Sequence, residues 1–222
     1  VGDAPGQHDV TVEDRAGGTM PGESTSVGEF RERLETKRFD AGFVRRWSRD
    51  GGMLITLRGS GTAQSHAHDF AGVAERDQHT TGFAEASVAG SAGRHVYVAG
   101  AALQRDDYDA DDVPAMSYQH TVPGLFVQDE FAAASWLTLS GSGRLDFHSE
   151  YGTFLNPRLS ALFRPDASWT VRASGGTGYF APTPWTDETE AVGLHRLATP
   201  TGVEAERARN LSLDVGRTIG PI

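Results

Sequence analysis

The chain has 222 residues, a formal net charge of −10 and no cysteine, with apolar residues at 38% and 27 glycines. The negative balance argues against a nucleic-acid partner, which calls for a basic face, and the missing cysteines remove disulfides and thiolate metal sites. The apolar share is low for a water-soluble domain of this length, whereas a wide barrel needs only a thin apolar band outside and a wet lining. No run of about 18 apolar residues exists, so no transmembrane helix is expected. The chain begins at Val1 with no signal peptide, as an internal fragment or processed piece would.

Residues 1–29 are polar and turn-rich, with Ala16-Gly17-Gly18-Thr19-Met20-Pro21-Gly22 as the clearest break, and are expected to form an extracellular loop. From Glu32 an extended segment carries Phe39, Ala41, Phe43 and Trp47 on one face. Ser48-Arg49-Asp50-Gly51-Gly52 then reads as a tight turn. Met53, Ile55, Leu57 and Gly59 alternate with Leu54, Thr56, Arg58 and Ser60, and the polar run Thr62 to Gln78 is expected to contain a loop. Extended stretches follow over 80–89 and 94–104, turning at Gly90-Ser91-Ala92-Gly93. The acidic run Asp106 to Asp112 reads as a further loop.

Residues 118–131 are expected to be extended, 132–135 to turn, and Trp136 to His148 to return. Leu137, Leu139, Gly141, Gly143, Leu145 and Phe147 then lie opposite Thr138, Ser140, Ser142, Arg144, Asp146 and His148. The stretch Phe147 to Thr183 holds the clearest hairpin, with Leu159, Ala161 and Phe163 in one arm and Trp169, Val171 and Ala173 in the other. Its turn is Arg164-Pro165-Asp166-Ala167-Ser168. A last strand spans roughly 207–218, where Leu211, Leu213 and Val215 alternate with Ser212, Asp214 and Gly216.

These patterns give an all-β, antiparallel up-and-down meander of about nine long strands, an incomplete segment of a transmembrane β-barrel. Short connections near 48–52, 90–93, 132–135 and 164–168 alternate with longer, more polar ones near 62–78, 105–118, 148–154 and 182–204. That rhythm puts the short turns at one end, where Trp47, Phe131, Trp136 and Trp169 suit an aromatic girdle. A soluble or secreted β-sandwich binding module also alternates. The two differ in whether Leu137, Leu139, Val171 and Ala173 face lipid or a second sheet. A passive porin-like barrel is the third reading.

From Val122 onward the chain resembles the C-terminal part of the barrel of a TonB-dependent outer-membrane receptor. The residues are Val127-Gln128-Asp129-Glu130, Arg144-Leu145-Asp146, Asn156-Pro157-Arg158, Ala173 to Thr183 and Glu204-Ala205-Glu206-Arg207. The resemblance implies residence in the bacterial outer membrane and contact with its lipid. It also implies coupled uptake of a scarce nutrient such as a ferric siderophore, haem or cobalamin. In the whole receptor the partners would be its own plug domain and a TonB-type energy-transducing protein. The plug, and a terminal aromatic strand in place of Gly220-Pro221-Ile222, are expected to be absent here, leaving 1–222 as a partial barrel domain short of the roughly 22 strands of a closed transporter.

On the barrel reading Gln128, Glu130, Arg144, Asp146 and Arg172 line the lumen together with Arg158, and Tyr108, Tyr151, Trp185 and His195 join Arg158 as candidate ligand contacts in loops or lumen. Haem receptors of this family carry a His between a Phe-Arg-Ala-Pro box and an Asn-Pro box. Here Phe180-Ala181-Pro182 lacks the Arg, and no Asn-Pro follows His195. His66-Ala67-His68-Asp69 has no third ligand nearby and the acidic run lacks EF-hand spacing, so no metal site and no cofactor is assigned. No nucleophile–base pair or phosphate-cradling glycine loop stands out, and no enzyme activity is expected.

Overall fold

A computed structural model describes residues 8–10, 32–70, 72–184, 193–199 and 201–219. Among them lies one ten-stranded sheet in which every strand pairs antiparallel with its neighbour in sequence. The strands are β1 (His8–Val10), β2 (Glu32–Ser48), β3 (Leu54–Phe70), β4 (Val73–Ala92), β5 (His95–Ala110), β6 (Tyr118–Ala134), β7 (Leu137–His148), β8 (Gly152–Phe163), β9 (Trp169–Phe180) and β10 (Glu206–Arg217). The nine long strands are those expected. The short β1, paired with β2 through His8–Leu34 to Val10–Glu32, falls inside the stretch expected to be loop.

Register sorts the side chains into two faces, because partners directly opposite share a side. One face carries Phe39 and Phe43, Ile55 and Leu57, Ala84 and Ala86, Ala99 and Leu103, Leu125 and Val127, Leu139, Leu159, Val171 and Ala173, and Leu211 and Leu213. Among the described residues no second sheet covers it. Leu159 is 71% exposed, Phe39 68% and Leu211 88%. An apolar face this broad with no protein against it excludes the sandwich.

Several glycines on this sheet are built under aromatic rings of a neighbouring strand. Phe43 lies opposite Gly59, Tyr97 opposite Gly90 and Phe126 opposite Gly100. A Cβ on Gly100 would stand 2.6 Å from the Phe126 ring and 2.5 Å from the Ala86 carbonyl oxygen. Small residues here let a flat ring cover the backbone, the cross-strand equivalent of a filled core.

The strands run well past the membrane. β4 has 20 residues and β2, β3 and β6 have 17 each, where about 9–11 tilted residues span a bilayer. The surplus lies at the end away from the Trp-bearing turns and corrects three expectations. The polar run Thr62 to Gln78 is strand up to Phe70 and again from Val73, joined by a tight turn in which Gly72 (φ 92°) donates its N–H to Asp69 Oδ1 at 2.7 Å. The acidic run is strand as far as Ala110, and β7 and β8 are joined by residues 149–151 alone. Above the membrane both faces are wet, so the period-2 apolar signal fades while cross-strand hydrogen bonds persist.

Pro157 interrupts the wall. β8 pairs with β9 only from Arg158–Gly176 to Phe163–Val171, because Pro has no N–H for the ladder beyond. Past it the Tyr179 ring lies flat on Phe154, with centroids 3.9 Å apart and planes 3° from parallel.

Candidate functional site

The face opposite the apolar band carries Gln128, Glu130, Arg144, Asp146, Arg158 and Arg172. Gln128, Ser142, Arg158 and Gly176 stand in one cross-strand row, and Glu130 opposes Ser140. Arg172 opposes Asp214. Gln128, Glu130, Arg158 and Arg172 are exposed. Arg144 Nε donates to both oxygens of Asp146, at 2.8 and 3.0 Å, and Asp146 is buried. Arg158 sits one inward step beyond Asn156, the partner of Arg144, and does not join that pair. A second pair, Arg58–Glu85 at 2.7 Å, lies on the same face of β3 and β4.

Above this wall is a cavity of about 600 Å³ lined by Asp106, His120, Arg144, Asp146, His148 and Tyr179, among others. The His120 and His148 rings are 4.7 Å apart, and Tyr151 approaches both, its hydroxyl donating to the Pro182 carbonyl at 2.8 Å. His148 Nδ1 accepts the backbone N–H groups of Glu150 and Tyr151, at 3.2 and 3.3 Å, which places the ring proton on Nε2. Burial, helped by the neighbouring His120, depresses the His148 pKa against the pull of Glu150 and Asp146. Protonating Nδ1 would also destroy both bonds, so the ring is held neutral.

A neighbouring cluster explains Tyr108 and His195. Tyr108 is not in a loop but in β5, buried with Ala110, Met116 and Leu194 and stacked on Tyr118. It is packing rather than mouth surface. Leu194 and His195 begin a short 3₁₀ turn in the connection between β9 and β10. Glu75 of β4 accepts both of their backbone N–H groups, at 2.7 and 2.9 Å, and pairs with His195 Nδ1 as well. Burial pushes the Glu75 carboxyl up, but the hydrogen bonds from His195 and Leu194 outweigh it and hold it below the usual range. His195 is thus a tether of this strap. Trp185 lies outside the described residues.

His66 and His68 sit in β3 rather than on a flexible loop. His66 pairs with Asp77 at 2.7 Å and His68 with Glu32 at 2.8 Å. No group of three or more potential ligands that could hold a metal occurs among the described residues. His120, His148, Tyr179 and Glu75 were not singled out from the sequence. The inward parity that β6 and β7 share with Asp146 points to the first two, whereas Glu75 has no local signal.

One sheet with a lipid-facing band, a polar opposite face and a mouth of cationic, imidazole and aromatic groups is the wall of an outer-membrane barrel. The model of the family described as TonB dependent receptor-like, beta-barrel matches residues 7–215, and the chain belongs to that family. The family is one of receptors and transporters rather than enzymes and places the chain in the bacterial outer membrane. Two curated relatives, the iron-regulated outer membrane virulence proteins of the classical Ogawa O395 and El Tor Inaba N16961 strains of Vibrio cholerae, are each 39% identical over 57 residues, which is 26% of this chain and 9% of theirs. The crystal structure of the siderophore receptor PirA from Pseudomonas aeruginosa superimposes with a TM-score of 0.68 at 15% identity, covering 85% of this chain and 38% of that one. The chain therefore spans well under half the length of these proteins.

Proposed function

We propose that the chain is barrel wall of a receptor that imports a ferric chelate, acting with the receptor's own plug domain and a TonB-type energy-transducing protein. The observation that carries this is the cavity above the Arg144–Asp146 pair, where a guanidinium, two imidazoles and a Tyr–Phe stack meet on the polar face of a family barrel. Such a site offers charge-assisted donors to an anionic, oxygen-rich ligand and flat surfaces to its rings. The Vibrio relatives are described as iron-regulated and PirA as a siderophore receptor, which supports iron over haem or cobalamin.

The test is uptake of radiolabelled iron by cells carrying the receptor, with ferric siderophores, haem and cobalamin offered in parallel. Uptake of a ferric siderophore that stops when the proton-motive force is collapsed, and weakens in Arg144→Gln, supports the reading. Energy-independent uptake would instead indicate a passive pore. Uptake indifferent to Arg144→Gln would take this cavity off the ligand's path.

A further inference from the structure

We propose that the short-turn end of the sheet binds the headgroups of anionic glycerophospholipids through Arg45, Arg94 and Arg217, each held over an aromatic ring. The Arg45 guanidinium lies 5.6 Å from the Trp47 ring centre, Arg94 5.3 Å from Phe131 and Arg217 5.1 Å from Trp169. All three pairs stand at the short-turn ends of their strands. Trp47 is the penultimate residue of β2, Phe131 opposes the first residue of β5, and Trp169, the first of β9, opposes Arg217, the last of β10. Trp47, Phe131 and Trp169 belong to the apolar, lipid-facing set, so the cations lie at the bilayer interface and not over the lumen.

None of the three arginines has a carboxylate partner among the described residues. Stacking engages the face of a guanidinium and leaves its N–H edge open, the geometry that meets a phosphate with two parallel hydrogen bonds. Arg94 uses Nε and one terminal nitrogen on the Ala132 and Ala133 carbonyls and keeps its remaining N–H groups. The nearby acids are already engaged. Asp129 pairs with His95 at 2.7 Å, and Asp166 accepts the N–H groups of Ser168 and Trp169.

The charge pattern points to an anionic occupant. Although the chain carries −10 overall, Arg45, Arg46, Arg49, Arg94, Arg164 and Arg217 gather at this end against Asp50, Asp129, Glu130 and Asp166. Short turns face the periplasm in outer-membrane barrels, so the surface meets the inner leaflet. A zwitterionic headgroup carries its own ammonium beside the phosphate and gains less from these cations than phosphatidylglycerol does.

The test is native mass spectrometry of the full chain in detergent micelles doped with phosphatidylglycerol or, separately, with phosphatidylethanolamine of the same acyl chains. Phosphatidylglycerol should be retained preferentially, each of Arg45→Gln, Arg94→Gln and Arg217→Gln should lower its retention about fivefold, and phosphatidylethanolamine retention should not change. Millimolar inorganic phosphate should fail to displace the lipid. If Arg45→Gln or Arg94→Gln does not fold, Arg217→Gln, at the exposed end of β10, reads the same contact alone. Equal retention of the two lipids, unchanged retention in Arg217→Gln, or displacement by inorganic phosphate would each overturn the proposal.

Discussion

His195 donates its backbone N–H to Glu75 at 2.9 Å across 120 residues of sequence. The bond ties the connection between β9 and β10 back to β4, and so the strap lies against the outer ends of β4 to β6. Leu194, whose N–H meets the second carboxylate oxygen at 2.7 Å, fills the cluster of Tyr108, Ala110 and Met116 below. A buried carboxylate with three donors does the work of an N-cap for the short turn that follows.

Glu75→Ala should therefore release the strap without unfolding the sheet. Losing a charged acceptor that satisfies buried N–H groups costs about 1–3 kcal/mol. Hydrogen exchange at the Leu194 and His195 amides should accelerate by roughly one to two orders of magnitude, with the amides of β7 and β8 unaffected. Unchanged exchange at these two amides would show that the Tyr108 cluster alone holds the strap.

Acid should do the same. The folded Glu75 pKa lies below its ordinary value of 4.5, so the unfolded strap binds the proton more readily and the contribution is complete above that value. It is lost as pH falls through the lowered folded value. Limited proteolysis within 193–199 should become faster between neutral and strongly acidic pH in the wild type. In Glu75→Gln the same cleavage should start fast and vary little.

His148 works over a higher window. Its folded pKa is depressed below 6.5, so stability is full above about that value and declines as pH drops through it, where the unfolded chain takes the proton first. His148→Gln keeps an acceptor for the Glu150 and Tyr151 amides but cannot titrate. Urea midpoints compared between pH 7.5 and 5.5, values chosen to bracket roughly the ordinary histidine pKa, should fall further for the wild type than for the variant. The other seven histidines remain in both proteins, so the difference between the two slopes is the readout.

The legibility of this chain follows the solvent around each segment. Where one face meets lipid, as at Leu137, Leu139, Val171 and Ala173, alternation is strict and the strands, their order and their outward faces were readable. Above the membrane the same backbone pairing continues between His66 and Asp77 or His79 and Tyr108, but polar residues on both faces erase the period, and strand looked like loop. Tyr108 was misplaced for that reason. The Glu75–His195 clamp is a long-range tertiary contact that no local pattern encodes. That Gln128, Glu130, Arg144, Asp146, Arg158 and Arg172 share one sheet face was legible by parity, yet parity alone could not say that Arg144 pairs along its own strand while Arg158 stands apart.

Glycines should divide sharply between covered and open positions. Gly100→Ala places a Cβ against the Phe126 ring and the Ala86 carbonyl, which cannot both retreat, and should cost about 1–3 kcal/mol. Gly143→Ala meets nothing within 4 Å and should change stability by less than about 0.5 kcal/mol. Thermal or urea unfolding of the two variants in one detergent would check the contrast, and equal losses would mean that the ring does not sit over Gly100.

The two faces themselves are the last thing to test, with one residue step between them. Leu159 points to lipid and Ser160 to the polar side, opposite Ser140 and Ser174. A guanidinium at a lipid-facing site must snorkel or drag water into hydrocarbon, at about 2–4 kcal/mol near the bilayer midplane. Ser160→Arg stays in water beside Ser140 and should cost little, because a wet wall leaves the cation solvated. Folding into phospholipid vesicles, followed by urea titration, should therefore show Leu159→Arg strongly destabilised and Ser160→Arg near wild type. The opposite order would invert the faces, move Arg144 and His148 to the lipid side, and remove the cavity above them from any ligand's reach.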